Sequence, residues 1–192
     1  MTTTKINMAA AVTSIRKALT ALGYDVSNPH MVDTPRRVAG VWLAFAPTEV
    51  VAFDFTTFED SKVNQIVLAM DIEVAGLCPH HLLPWKGKAH VAYLPNKRIA
   101  GISKLVRTAQ WASRRAEVQE NVGNLIADLL EEKLEPMGIA VIIEAAHDCV
   151  ACRGAQDAGI TFVTSVMRGV FFTNPIARDE LMSLVNMRRA DK

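Results

Sequence analysis

Cysteine is scarce in this chain of 192 residues: there are three, and three cannot all pair with one another inside one molecule. A disulfide framework is therefore not the basis of the fold, and a reducing, cytoplasmic setting that leaves thiolates for metal is expected. Long apolar runs are missing as well. No stretch approaches the ~20 residues of a membrane span, and the first residues lack the basic-then-apolar pattern of a signal peptide. A net charge of only +1 gives no argument for nucleic acid or a membrane surface as a partner. Internal repeats and low-complexity tracts are absent too. With half its residues hydrophobic and 21% charged, the chain has the material for one sizeable core.

Metal-capable side chains, in contrast, are concentrated. Cys78-Pro79-His80-His81 puts one thiol and two imidazoles within four residues, and His147-Asp148-Cys149 follows far along the chain with Cys152 close behind. Three of the five histidines and all three cysteines lie in these two places.

The periodicity around them predicts an N-terminal helical part, residues 1–50, before a larger domain over 51–192. Residues 4–22 read as a helix on Ile6, Ala9, Val12, Ile15, Leu19 and Leu22, with Gly23 as its stop. Asp33-Thr34-Pro35 predicts the start of a second helix, with Val38, Val41, Trp42 and Phe45 as its buried stripe. Arg36, Arg37 and Gly40 fall on the other side. Arginines in a first turn oppose the helix dipole, which suits either an anion nearby or a solvated basic turn. After a looser stretch over 47–64, alternation predicts strands over 65–77 and 86–94, which could pair through the Cys78 cluster. Helices are expected over 103–114, capped by Ser103, and over 117–134, with Gln119 and Glu120 off the centre of its apolar stripe. Ile139, Val141, Ile143 and Ala145 share one face of a strand over 139–149, and His147 and Cys149 continue that parity. A fourth strand over 160–172 and a helix opened by Asn174-Pro175 complete an α+β order with an antiparallel sheet.

Thiolate and imidazole suit zinc, and a catalytic zinc keeps three protein ligands and one open position. Cys78, one of His80 and His81, and Cys149 would make such a set from strand ends about 70 residues apart. The remaining histidine of the pair and His147 would then be free for proton transfer near neutral pH. Ser103, Lys104, Arg107, Arg37 and Arg153 could cradle phosphates. Plainer readings stand beside these: a purely structural zinc at Cys78 and Cys149, and Cys152 as a small core hydrophobe. Cys149-x-x-Cys152 is also a weak ligand or redox pair, and His30 and His90 take surface or packing roles.

From about Asp33 to Arg178 the chain resembles the GTP cyclohydrolase I family. The likeness is carried by Cys78-x-His80-His81, Gly101-Ile102-Ser103-Lys104-Leu105-x-Arg107, Arg114-Arg115-x-x-Val118-Gln119-Glu120, and His147-x-Cys149-x-x-x-Arg153-Gly154. The resemblance implies a tunnelling fold of ββααββ order over 51–192 as the catalytic domain, assembled into a homodecamer with active sites between subunits. It implies zinc on Cys78, His81 and Cys149, and hydrolytic opening of the guanine ring of GTP at C8 with loss of formate. Rearrangement to 7,8-dihydroneopterin triphosphate follows. His80 and His147 match the acid/base histidines, and Ser103 matches a residue near the ribose and phosphates. Gln119 and Glu120 match the guanine-reading pair, and Lys104, Arg107, Arg153 and Arg37 match triphosphate binders. Two positions depart from the family: Pro79 stands where glutamate is usual, and Gly40 where a lysine is common. They motivate an alternative, a paralogue that takes another purine nucleotide or stops at ring opening. A non-catalytic zinc-stabilised nucleotide-binding module is the reading from a different class.

Overall fold

The computed structural model describes residues 6–46, 53–59 and 62–187. The chain separates into two compact units, Met1–Ala46 and Pro47–Lys192.

The first unit is a pair of helices. Helix α1 (Met8–Ala21) starts where the Asn7 side chain accepts from the Ala10 amide at 3.0 Å, satisfying one of the orphan donors of a first turn. It ends before Gly23, whose φ of 86° no β-carbon favours. Residues 4 and 5 of the expected helix lie outside the described residues. Helix α2 (Thr34–Ala44) opens with Pro35 in its first turn, but Asp33 makes no side-chain cap. Its carboxylate instead accepts from Arg36 and Arg37 at 3.4 and 3.5 Å, which offsets the unfavourable placing of two cations at a helix start. The expected stripe on α2 is not the buried one. Pro35 and Ala39 are buried, whereas Val41 and Trp42 are 52% and 41% exposed. Within this unit the buried positions are Ile15, Pro35 and Ala39, and small side chains let two helices approach closely.

The second unit is built on a four-stranded antiparallel sheet. Its strands are β2 (Val67–Leu77), β3 (Pro84–Leu94), β5 (Gly138–His147) and β6 (Phe162–Gly169), hydrogen-bonded in that spatial order. Two short strands, β1 (Thr57–Glu59) and β4 (Arg98–Ala100), pair separately. In chain order α3 (Ile102–Ser113) and α4 (Gln119–Leu134) lie between β4 and β5. A helical turn α5 (Asp148–Ala151) follows β5, and α6 (Val170–Thr173) and α7 (Pro175–Met187) close the chain. This is the α+β, ββααββ order expected of a tunnelling-fold module.

Both faces of the sheet are covered at its centre. On one, Ile139, Val141, Ile143 and Ala145 pack with Trp85, Ala89, Val91 and Tyr93 against Val122, Ile126 and Leu130 of α4. On the other, Ala140 and Ile142 meet Phe171, Leu181 and Val185. Fully burying a side chain of this size stabilises by about 1.5–3 kcal/mol, so these two clusters fix the register on which the site depends. Gly169 ends β6 earlier than the alternation suggested. Its φ is 57°, and a β-carbon there would collide with the Met137 carbonyl, so the chain turns into α6.

Three further expectations change. Gly101, not Ser103, stands at the start of α3 without a side-chain cap; Ser103 is an exposed residue within the first turn. Strand β5 stops at His147, so Cys149 lies on the helical turn α5 and not on the strand's parity. Cys152 is exposed rather than a core hydrophobe. Among the described residues no helix is long and apolar enough to cross a membrane.

Candidate metal centre and active site

The hairpin β2–β3 carries the first half of the site. Leu77 pairs with Pro84, and the six residues between them form a tight turn closed by Cys78 N–H to the Leu83 carbonyl and Leu82 N–H to the Cys78 carbonyl, both at 2.8 Å. Leu82 takes a left-handed φ of 51°, a conformation that costs a non-glycine residue roughly 1–2 kcal/mol. Pro79 has no amide to donate, and in this turn none is required. The result is a buried Cys78 with His80 and His81 exposed beside it. The sulfur lies 3.5 Å from His80 Nδ1 and 3.7 Å from His81 Nδ1.

The second half arrives at the end of β5. Trp85 and His147 are direct cross-strand partners, and β5 then turns into α5, which swings Cys149 back towards Cys78. Ligand atoms of Cys78, His81 and Cys149 all lie within 4.8 Å of one another. A tetrahedral zinc with Zn–S of about 2.3 Å and Zn–N of about 2.0 Å holds its donors roughly 3.5–3.8 Å apart, so a small closure of this triangle suffices. Burial first, and then the neighbouring Cys78 thiol, push the Cys149 thiol above its ordinary range, with Arg153 pulling the other way. A thiol whose ionisation is opposed by burial and by a neighbouring thiol is a donor that a divalent cation relieves. Two sulfurs and one imidazole fit zinc better than a hard cation.

Arg153 is tied to this turn: its Nη1 lies 2.6 Å from His81 Nε2. A guanidinium only donates, so that contact makes Nε2 the acceptor and leaves the ring proton on Nδ1.

Cys78, His80, Gln119, Glu120, His147 and Cys149 line one cavity of about 510 Å³, with Pro79 also in its wall. His147 is held there by three neighbours. Its ring stacks on Trp85 (5.8 Å, 21°), meets Phe162 edge-on (5.4 Å, 82°), and its Nε2 is 2.8 Å from Gln119 Oε1. Burial holds its pKa below the usual histidine value, with the Glu120 carboxylate opposing that shift. Glu120 is exposed in the first turn of α4, where the dipole favours a carboxylate. Gln119 beside it, expected off the centre of the apolar stripe, is buried, at 3% exposure.

The phosphate-binding candidates are dispersed. Ser103 and Arg107 are exposed on α3, and Lys104 donates to the Asp54 carbonyl; none of these three lines the cavity. Arg37 belongs to the N-terminal unit, where it pairs with Asp33. His90, given a packing role from sequence, is buried with Nε2 3.3 Å from a Glu144 carboxylate oxygen. Trp85 and Phe162, which hold the ring of His147, were not singled out from sequence. Trp85 could have been, since it lies in the strand that pairs with the one carrying His147.

A metal-capable triangle with two of its corners in the cavity wall, and two further histidines and a carboxylate in the same wall, define a candidate metal-assisted hydrolase site. Comparison with known proteins gives the family. The GTP cyclohydrolase I family profile matches residues 11–186. A "GTP cyclohydrolase 1" of Hydrogenobaculum is 40% identical over 91% of this chain and 95% of its own length, and one of Aquifex aeolicus is 43% identical over 90% and 93%. Among solved structures, an apo archaeosine synthase of the QueF-like kind overlaps 54% of this chain and 93% of its own, with a TM-score of 0.46 and 12% identity. The chain belongs to the GTP cyclohydrolase I family.

Proposed function

We propose that this chain hydrolyses GTP at C8 of guanine, releases that carbon as formate, and rearranges the remainder to 7,8-dihydroneopterin triphosphate. The balance is one water consumed overall. Two hydrolytic steps break the bonds of C8 to N9 and N7, and closure of the new ring returns one water. The observation that carries the reading is the single cavity in which Cys78, His80, Glu120, His147 and Cys149 all stand.

Cys78, His81 and Cys149 would hold zinc, which when bound supplies a Lewis acid that brings water to nucleophilic strength near neutral pH. His147, kept neutral by burial, accepts and returns protons as the imidazole ring of guanine opens. His80, exposed on the turn that carries Cys78 and His81, handles a second proton at the departing nitrogen. Glu120 reads guanine: a carboxylate accepts from N1–H and the 2-amino group together, an arrangement adenine lacks. Ser103 lies near the ribose and phosphates, and Lys104, Arg107 and Arg153 bind the triphosphate. Arg37 joins that set on the family likeness alone. Gln119 enters as the family partner of Glu120.

The phosphate set on α3 stands outside the cavity of its own chain, which suits active sites completed by neighbouring subunits in a homodecamer. The sheet has β2 and β6 as its edges, 11 and 8 residues long, and such edges invite pairing with another chain. Light scattering of the purified protein tests that assembly. A cytoplasmic setting keeps the three free cysteines reduced.

The test of the activity is incubation with GTP, with and without a chelator, reading formate and a product that fluoresces after oxidation. Formate and the pterin product in equal amounts, lost with chelator and restored by zinc, are expected. Zinc-loaded, assembled protein that turns over no GTP would contradict the reading. Pro79 in the cavity wall favours one rival, a preference for another purine nucleotide, and a panel of nucleotides with mass analysis separates the two.

A further inference from the structure

The side chain of Gln119 is committed before any substrate arrives. Its Nε2, with two hydrogens, lies within donating distance of three acceptors: the Ile143 carbonyl at 2.9 Å, the Phe162 carbonyl at 3.2 Å and Thr164 Oγ1 at 3.1 Å. Its Oε1 faces His147 Nε2 at 2.8 Å. The residue opens α4, and its amide bridges the carbonyls of β5 and β6, beside the end of β5 that carries His147. An amide can be drawn in two orientations, and chemistry selects one here. Backbone carbonyls only accept, so turning the group over would set Oε1 against two oxygens at these distances.

That orientation has a consequence one residue further on. Oε1 has no hydrogen to give, so the hydrogen between it and His147 belongs to the imidazole. We infer that Gln119 is a positioning residue: it fixes neutral His147 as the Nε2–H tautomer and leaves Nδ1 as the nitrogen that exchanges protons with the substrate. Trp85 and Phe162 hold the plane of the same ring, so its orientation and its proton are set by different neighbours. The guanine-reading role expected of a Gln119–Glu120 pair then falls to Glu120 alone, which is exposed in the cavity while the amide of Gln119 is already occupied. This inference rests on the proposed acid/base role of His147, and its test separates the two.

The direct readout is the ¹⁵N spectrum of the imidazoles in zinc-loaded, ¹⁵N-histidine-labelled protein near neutral pH, with His147 assigned by its absence in His147→Gln. A pyrrole-type Nε2 and a pyridine-type Nδ1 are expected. The opposite pattern overturns the inference, even if His147 proves indispensable for turnover. Indispensability is tested separately by His147→Gln kinetics, so the acid/base reading can fail while the tautomer assignment holds. The kinetic readout uses Gln119→Met, which keeps length and removes the amide. Loss of tautomer control should lower kcat by about 10²-fold or more with KM for GTP changed less than about threefold, as expected when general acid–base catalysis is impaired. A guanine reader would instead raise KM and weaken preference for GTP over ITP, which lacks the 2-amino group; that result contradicts the inference. Because the ¹⁵N readout does not use Gln119→Met, poor folding of that variant leaves the question answerable.

Discussion

The two histidines proposed for proton transfer sit in contrasting surroundings. His80 is in the exposed turn between β2 and β3, where its neighbours include Cys78 Sγ at 3.5 Å and the edge of His81 at 6.3 Å. His147 closes a strand that is buried on both faces, and three side chains hold it: Trp85 below, Phe162 at the edge, Gln119 on Nε2. The difference follows from where each lies along the sheet. A turn of six residues can bring donors to a metal but has little apolar surface with which to restrain a side chain. A strand end paired through ten registered positions inherits its placement from the core. Catalysis is sensitive to the orientation of the group that moves the proton, so the comparison ranks His147 as the more demanding position and His80 as the more tolerant one.

That ranking can be broken at several points. The largest effect should come from Cys149→Ala, which removes a donor from the triangle: bound zinc, read by elemental analysis, should fall from about one per chain to near zero, with formate release lost. Next is Glu120→Gln. Replacing the charged acceptor by an amide should raise KM for GTP about 10–100-fold, the equivalent of the ~1.5–3 kcal/mol of hydrogen bonds to a charged group, and reduce kcat less. His80→Ala should lower kcat by about tenfold, below the 10²–10⁴-fold usual for a well-positioned acid or base; a larger loss than that of His147→Ala would reverse the ranking. Smallest is Phe162→Leu. It removes an edge contact worth about 0.5–1.5 kcal/mol and should cost less than tenfold in kcat, with the fluorescence-detected melting temperature little changed, since Phe162 is 41% exposed.

Much of the sheet was legible from alternation, because β5 has one face against α4 and its hydrophobic residues repeat with the strand's own period. The same rule failed at Cys149, where parity was carried two residues past the strand's end. His147 to Asp148 is the change from strand to helical turn, and nothing in the alternation marks it. Val41 and Trp42 show a different limit. Helical spacing put them on a buried stripe, yet within their unit the contact is made by Ala39, since small residues and not large ones permit a close helix crossing. Ser103 has the chemistry of a cap, but Gly101 occupies that place, so capping residues identify a helix start only to within a turn. The donor triangle was visible as residue types, and its closure required the fold. Gln119 was the least legible of the site residues: nothing local to the motif says that its amide is spent on the carbonyls of Ile143 and Phe162.

The central claim is that the metal triangle and the proton-transfer group are separate parts of one site. His147→Ala tests it most directly, with zinc content and formate release measured on the same preparation. Retention of about one zinc per chain with formate release lowered by at least ~10²-fold is predicted. Loss of the metal along with activity, or formate release at the wild-type rate, would contradict it.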